Sequence, residues 1–313
     1  LGNLCDGHSI GATTVPQSNR TDNIQEEPRV KLLRYGPAGS EKPGLLDKQG
    51  QIRDLSAYID DVSGSALTSM ALARLRDLDV ESLPLVKGNA QQDMRLGACV
   101  AGVGKFIAIG LNYADHAAEA GMEVPAEPIV FTKWNSCIAG PDDDLHLPEG
   151  SINTDWEVEL GIVIGDGGRN IPVDQALDRV AGYCLINDIS ERDWQINHGP
   201  TWDKGKGYDG FGPIGPWMVT RDEIPDPQNL RLWLEVDGKM RQDGNTNTMI
   251  FGVAELVAYC SRLATLHPGD LITTGTPPGV GMGQKPPVYL RDGQIMRLGI
   301  DGLGEQTQRV IAG

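Results

Sequence analysis

The chain has 313 residues, and 43 acidic against 27 basic side chains give it a formal net charge of −16. Such a surface repels phosphate backbones and anionic lipid, which excludes nucleic acid and membranes as partners, and 5% aromatic residues are too few for a base-stacking platform. Five scattered cysteines (Cys5, Cys99, Cys137, Cys184 and Cys260) with no Cys-x-x-Cys pair fit idle thiols in a reducing, cytoplasmic setting, and no apolar run is long enough to span a membrane.

Residues 1–29 are polar and irregular, without the basic start and apolar stretch of a signal peptide. They read as an extension whose removal costs little. From Val30 the text changes. Short apolar runs with tight turns (Val30–Gly36, Gly44–Asp47, Gln51–Leu55) and helical text over Ala66–Arg76 predict a small α/β domain over 30–98. Residues 99–313 form the main body. Their apolar runs are short and punctuated by Gly and Pro: Phe106–Ile109, Ile129–Phe131, Trp156–Ile164, Val180–Asn187, Leu230–Val236, Asp270–Thr273 and Ile295–Ile300. The best helix is Phe251–Ser261, apolar at 253, 256, 257 and 260. The fold class is therefore mostly β with some α, a β-rich roll or barrel-like body behind a small N-terminal α/β domain.

Five segments carry candidate chemistry. In Asp155–Ile164 the strand period places Trp156, Val158, Leu160, Ile162 and Ile164 on one face and Glu157 and Glu159 on the other. Two neighbouring carboxylates repel unless a cation lies between them; a solvated strand face explains the pair equally well. Asp188 ends the apolar strand Val180–Asn187, where a turn or cap residue would also be acidic. Ser190–Asp193 after it reads as a capping box that opens a short helix. Three acidic oxygens without His or Cys match a hard divalent cation, Mg²⁺ first, with Mn²⁺ or Ca²⁺ as alternatives. After the first strand of the body, His116 and Glu119 fall on one side of a helical turn. That spacing can build a general base, and it is also that of an ordinary surface pair. Lys204–Pro216 is too Gly-rich for a helix and offers a lysine in a constrained loop. Thr273–Gly283 lacks the Gly-Lys-Ser/Thr end of a phosphate loop and contains prolines; it reads as a tight turn presenting backbone N–H groups and a hydroxyl.

The order GxNYxxHxxE, ExExG, a strand ending in Asp, KGYDxFxPIGP and TGTPxGVG resembles the fumarylacetoacetate hydrolase family over roughly residues 105–310. The resemblance implies metal ligands at Glu157, Glu159 and Asp188, and a general-base dyad of His116 and Glu119 on a lid. It implies Lys206 at the substrate's carbonyl or carboxylate side, and substrate contacts at Tyr113, Gln195 and Thr276. It further implies a small 2-oxo acid as substrate and a homodimer. Leu111 stands where acylpyruvate hydrolases often carry Arg, which points to a neutral or hydroxylated tail, as in 2,4-diketo-3-deoxy sugar acids. The implied reaction is hydrolysis of a C–C bond in a 2,4-dioxo acid to give pyruvate and a second carboxylic acid. The same apparatus also serves β-keto acid decarboxylases, isomerases of the hydroxymuconate type and ureidoglycolate lyases. A non-catalytic metal-bound domain is the remaining alternative, and a base dyad argues against it.

Overall fold

The computed structural model describes residues 30–89 and 94–313, together with Gly2. The irregular extension expected over 1–29, Cys5 included, lies outside the described residues apart from Gly2.

In chain order the structure opens with strands β1 (Lys31–Tyr35), β2 (Lys42–Leu46) and β3 (Gln51–Asp54), helix α1 (Ser69–Arg76) and strand β4 (Leu85–Asn89). Strand β5 (Phe106–Gly110), helix α2 (Ala114–Ala120) and strand β6 (Ile129–Lys133) follow. Next come short strands β7 (Ile138–Ala139), β8 (Leu145–His146) and β9 (Thr154–Asp155), then the long β10 (Val158–Ile164). Helix α3 (Val173–Ala176) leads to β11 (Val180–Asn187), β12 (Ser190–Glu191) and the one-turn helices α4 (Arg192–Ile196) and α5 (Asp203–Lys206). The remainder is β13 (Gly212–Pro213), β14 (Met218–Thr220), β15 (Arg231–Val236), β16 (Lys239–Asn245), α6 (Val253–Leu263), β17 (Leu271–Thr273), β18 (Ile295–Ile300) and β19 (Gly304–Ile311).

The molecule is mostly β. A ten-stranded sheet runs β4-β3-β2-β1-β14-β11-β10-β17-β5-β6, and a five-stranded sheet runs β16-β15-β18-β19-β8. The N-terminal strands join the larger sheet edge-on, through antiparallel pairing of β1 with β14. Every residue of β10 and β11 is buried, so these central strands are covered on both faces. Helix α6 forms where the 3.6-residue apolar period predicts it and buries Val253, Leu256, Val257 and Cys260.

Register positions the site. Val158 pairs with Asn187 across β10 and β11, and the Asp188 N–H donates to the Glu157 carbonyl at 2.8 Å. On the other side of β10, Gly161 pairs with Thr273, so Gly275 falls beside Glu159. Strand β5 runs parallel to β17 with Ala108 opposite Thr273, which delivers Gly110 and Leu111 to the same edge. Four adjacent strands thus bring the acidic motifs and the loop before α2 together.

Two local expectations need correction. The Gly-rich segment expected to exclude helix starts with the helical turn α5, because Gly205 packs where a Cβ would lie 2.4 Å from the Glu191 carbonyl oxygen. Helix α4 is capped by Glu191, whose side chain accepts from the Trp194 N–H, and not by Ser190. The Ser190 hydroxyl instead donates to the Asp188 carbonyl at 2.9 Å.

Candidate active site

Glu157, Glu159 and Asp188 come together: one carboxylate oxygen of each lies within 4.8 Å of the others, and all three residues are buried. Burying three carboxylates in one place costs heavily unless positive charge accompanies them. The Lys206 ammonium supplies part of it, donating to Glu157 Oε2 at 2.7 Å and Asp188 Oδ2 at 2.8 Å. Lys133 donates to Asp188 Oδ1 at 2.6 Å. Arg192 lies 2.7 Å from Glu157 Oε1 and 2.8 Å from Asp155 Oδ2. All three cations are buried.

The charges sort the carboxylates. Burial opposes ionisation of Glu157, but Lys206 and Arg192 outweigh it and hold its carboxyl at about 2. Glu159 forms no ion pair with a described residue, and Lys206 acts on it only from a distance. Burial, then repulsion from Asp188 and Glu157, push it well above the usual carboxylate range, although the Thr273 hydroxyl and the Gly275 N–H both donate to Oε2. Burial works against the Lys206 ammonium too, yet Asp188 and Glu157 raise its pKa. A cluster in which one carboxylate is pushed toward neutrality by two others is short of positive charge. An all-oxygen donor set of this kind fits a hard divalent cation.

His116, on α2, lines the same cavity. Its Nδ1 is 3.1 Å from Glu119 Oε2, which leaves Nε2 free of Glu119. The Glu119 carboxylate in turn accepts from the Gly279 N–H at 3.1 Å. The segment expected to be a tight turn presenting N–H groups presents them to the protein's own carboxylates. The Gly275 N–H goes to Glu159, that of Gly279 to Glu119, and those of Gly281 and Met282 to Asp155 at 2.6 and 2.9 Å. Glycine is required here by contact: a Cβ on Gly279 would lie 1.9 Å from the Arg241 carbonyl oxygen, and one on Gly281 1.9 Å from that of Val288.

The three residues expected to touch substrate separate. Gln195 lines the cavity and accepts from Arg192 Nη1 at 2.9 Å through Oε1. Thr276 also lines it, but its hydroxyl donates to the Val158 carbonyl at 2.9 Å and accepts from Gln242 Nε2 at 2.8 Å. Tyr113 is fully buried and is not part of the cavity wall; its hydroxyl has no hydrogen-bond partner among the described residues, and burial, with Glu159 and Asp115 nearby, raises its pKa well above the usual value. Sequence reasoning missed Lys133, Arg192 and Asp155. The available signal was a lysine ending the apolar run of β6 and an arginine inside the predicted capping box.

The family model for the fumarylacetoacetate hydrolase C-terminal domain matches residues 105–311, about two thirds of the chain. The chain belongs to the fumarylacetoacetate hydrolase family. A Burkholderia multivorans family relative, named provisionally as a hydrolase, is 65% identical over 280 residues, covering 89% of this chain and 98% of that protein. Among solved structures, the fumarylacetoacetate hydrolase of psychrophilic Exiguobacterium antarcticum is similar at 35% identity and a TM-score of 0.78, covering 91% of this chain and 100% of that one. The maleylpyruvate hydrolase of Sphingobium sp. SYK-6, solved with manganese(II) and pyruvate, shares 28% identity at a TM-score of 0.75, covering 90% and 99%. The 5-carboxymethyl-2-hydroxymuconate delta-isomerase of Mycobacterium smegmatis shares 31% at 0.70, covering 90% and 99%. The family therefore includes hydrolases and isomerases of similar fold. Among the described residues no helix is long and apolar enough to cross a membrane.

Proposed function

We propose that the chain is a divalent-metal-dependent hydrolase that cleaves the C3–C4 bond of a 2,4-dioxo acid, releasing pyruvate and a second carboxylic acid. The observation that carries this reading is that one cavity is lined by Glu157 and Glu159 of the three-carboxylate cluster and by His116 of the His116–Glu119 dyad. Glu157, Glu159 and Asp188 would hold Mg²⁺ or Mn²⁺. The cation, when bound, supplies Lewis-acid polarisation of the 2-oxo acid and offsets enolate charge. The manganese and pyruvate in the Sphingobium structure support both halves of the assignment.

Charge balance favours a monoanionic substrate. Asp155, Glu157, Glu159 and Asp188 face Lys133, Arg192 and Lys206, which leaves one negative charge when all are ionised. A divalent cation turns this into one positive charge, which a single carboxylate neutralises.

In the proposed reaction His116 Nε2 takes a proton from water, and Glu119, fixed by the Gly279 N–H, keeps the proton of the neutral ring on Nδ1. The resulting hydroxide adds to C4. The C3–C4 bond then breaks with its electron pair on C3, giving pyruvate enolate, and a proton delivered to C3 completes pyruvate. The Lys206 ammonium, fixed between Glu157 and Asp188, keeps positive charge beside the developing oxyanion.

The resemblance to the delta-isomerase favours one second reading, in which the same dyad shuttles a proton along a dienoate and no water is consumed. Incubation with 2,4-dioxo acids, β-keto acids and a hydroxymuconate, with products identified by NMR, separates them. The proposal expects stoichiometric pyruvate from dioxo acids alone, abolished by EDTA and restored by Mg²⁺. Isomerised or decarboxylated product without pyruvate, or full turnover in excess EDTA, would refute it.

A further inference from the structure

The cavity beside the carboxylate cluster has a volume of about 410 Å³, more than the three carbons of a pyruvate unit fill. Apart from its charged cluster and His116, Gln195 and Thr276, its wall is apolar. Leu111, Met122, Phe131, Ile196, Trp202 and Met282 all line it. The local backbone is built to present two of them. A Cβ on Gly110 would lie 2.3 Å from Trp202 Cζ3, so glycine there is what lets the indole lie against the end of β5. The Trp202 ring then meets Phe131 edge-on, with centroids 5.4 Å apart at 64°. Leu111 has φ of +49°, a conformation unfavourable for a residue with a Cβ. Asn112 holds it there: its amide donates to the carbonyls of Phe251 at 3.0 Å and Thr274 at 2.8 Å, and accepts from the Phe251 N–H at 2.9 Å.

Apart from His116 Nε2 and the Gln195 amide nitrogen, the polar side chains of the wall are engaged by the protein. Arg192 is taken by Asp155, Glu157 and Gln195, and the Thr276 hydroxyl by Val158 and Gln242. Met122 and Ile196 are each 52% exposed, apolar surface that a tail in the cavity would cover.

We infer that the acyl half of the substrate ends in an uncharged apolar group, an alkyl chain of several carbons or a phenyl ring. The inference rests on the 2,4-dioxo acid reading above, and it replaces the hydroxylated sugar-acid tail that the sequence alone favours. A hydroxyl or second carboxylate buried against Leu111, Phe131, Trp202 and Met282 loses its water without gaining a partner, whereas each methylene buried there gains about fourfold, the roughly 0.8 kcal/mol of one CH₂.

Two assays together test it. The first measures kcat/KM for 2,4-dioxo acids with methyl, propyl, pentyl, phenyl, hydroxyalkyl and carboxyalkyl tails. The expected result is a rise of about fourfold per methylene until the cavity is filled, and a fall of about tenfold or more for a hydroxylated or carboxylated tail of equal length. The second reads binding without turnover: calorimetric affinity of the Mg²⁺-loaded protein for 2-oxooctanoate, 2-oxopentanoate and 2-oxoglutarate. The longer apolar acid should bind tightest and 2-oxoglutarate weakest, and Leu111→Arg should improve 2-oxoglutarate at least about tenfold relative to 2-oxooctanoate. An apolar preference in binding with no dioxo acid cleaved would remove the hydrolase reading and leave the tail assignment standing. Equal or better binding of 2-oxoglutarate, or faster turnover of hydroxylated tails, overturns the inference itself.

Discussion

Asp155 touches neither the proposed cation nor the dyad, yet it should be among the most sensitive residues of the site. Its carboxylate is fully buried in β9 and accepts from the Trp156, Gly281 and Met282 N–H groups and from Arg192. Asp155→Ala leaves these backbone donors without a partner, at about 1–3 kcal/mol for each that water cannot reach. It also takes from buried Arg192 one of its two carboxylates, and breaking a buried pair costs about 3–5 kcal/mol. Contributions that share one group do not add fully, so we expect a loss of about 5 kcal/mol, a large part of the 5–15 kcal/mol (roughly) that holds an ordinary domain. In urea, with a slope of about 3 kcal/mol per molar, the midpoint should fall by about 1.7 M. Asp155→Asn keeps the acceptor oxygen but loses the charge facing Arg192, and should cost about half as much. The same loop carries Gly275 and Gly279, which hold Glu159 and Glu119, so Mg²⁺ affinity by calorimetry should drop with stability. An Asp155→Ala midpoint within about 0.3 M of wild type would refute the reasoning.

His116→Ala should lower kcat by about 10²–10⁴-fold while calorimetric Mg²⁺ affinity stays near wild type, because the ring serves as base and not as ligand; Glu119→Gln should lie between, and wild-type turnover by either would return the pair to a surface role. Gly279→Ala places a Cβ 1.9 Å from the Arg241 carbonyl at φ of +105° and should cost more than about 2 kcal/mol in urea unfolding, with kcat falling further than stability explains. Burial raises the Cys260 thiol to about 12, so about one in ten thousand is thiolate at pH 8, and thiol reagents should modify it, by peptide mapping, only after unfolding. The folded-state pKa is the higher one, so this contribution to stability is complete below the unfolded thiol's value of about 8.5 and is lost as pH rises toward 12; fast labelling of Cys260 in the native protein at pH 8 would contradict this.

The parts of the site that obey a local period were legible in the sequence. Glu157 and Glu159 show through the two-residue alternation over Asp155–Ile164, although the strand breaks at Trp156 and Glu157 and β10 starts only at Val158; His116 and Glu119 show through one helical turn, and α6 through its apolar stripe. The loop at Thr273–Gly283 was legible as a turn with free N–H groups, but what those groups bind was not, since Glu159, Glu119 and Asp155 reach it from distant parts of the chain. Lys133 and Arg192 escaped for the same reason. Each reads locally as a solvent-facing cation, and only the packing of β6 against α5 and of α4 against β12 buries it beside a carboxylate. The pairing of β1 with β14 was equally invisible, because a strand's own pattern says that one face is apolar and not which strand lies beside it. The single turn of α5 fails the propensity rule, as Gly205 is selected there by contact with Glu191 and Gln195.

The central claim is that water is the nucleophile that breaks a C–C bond of a 2,4-dioxo acid. Turnover in ¹⁸O-water, followed by mass spectrometry of both products after one cycle, tests it most directly. The account predicts one heavy oxygen in the carboxyl group newly formed from C4, beyond any exchange measured in enzyme-free controls, and none in the carboxylate of pyruvate. Intact dioxo acid together with rapid release of CO₂ from oxaloacetate, or an isomerised product carrying no heavy oxygen, would contradict it.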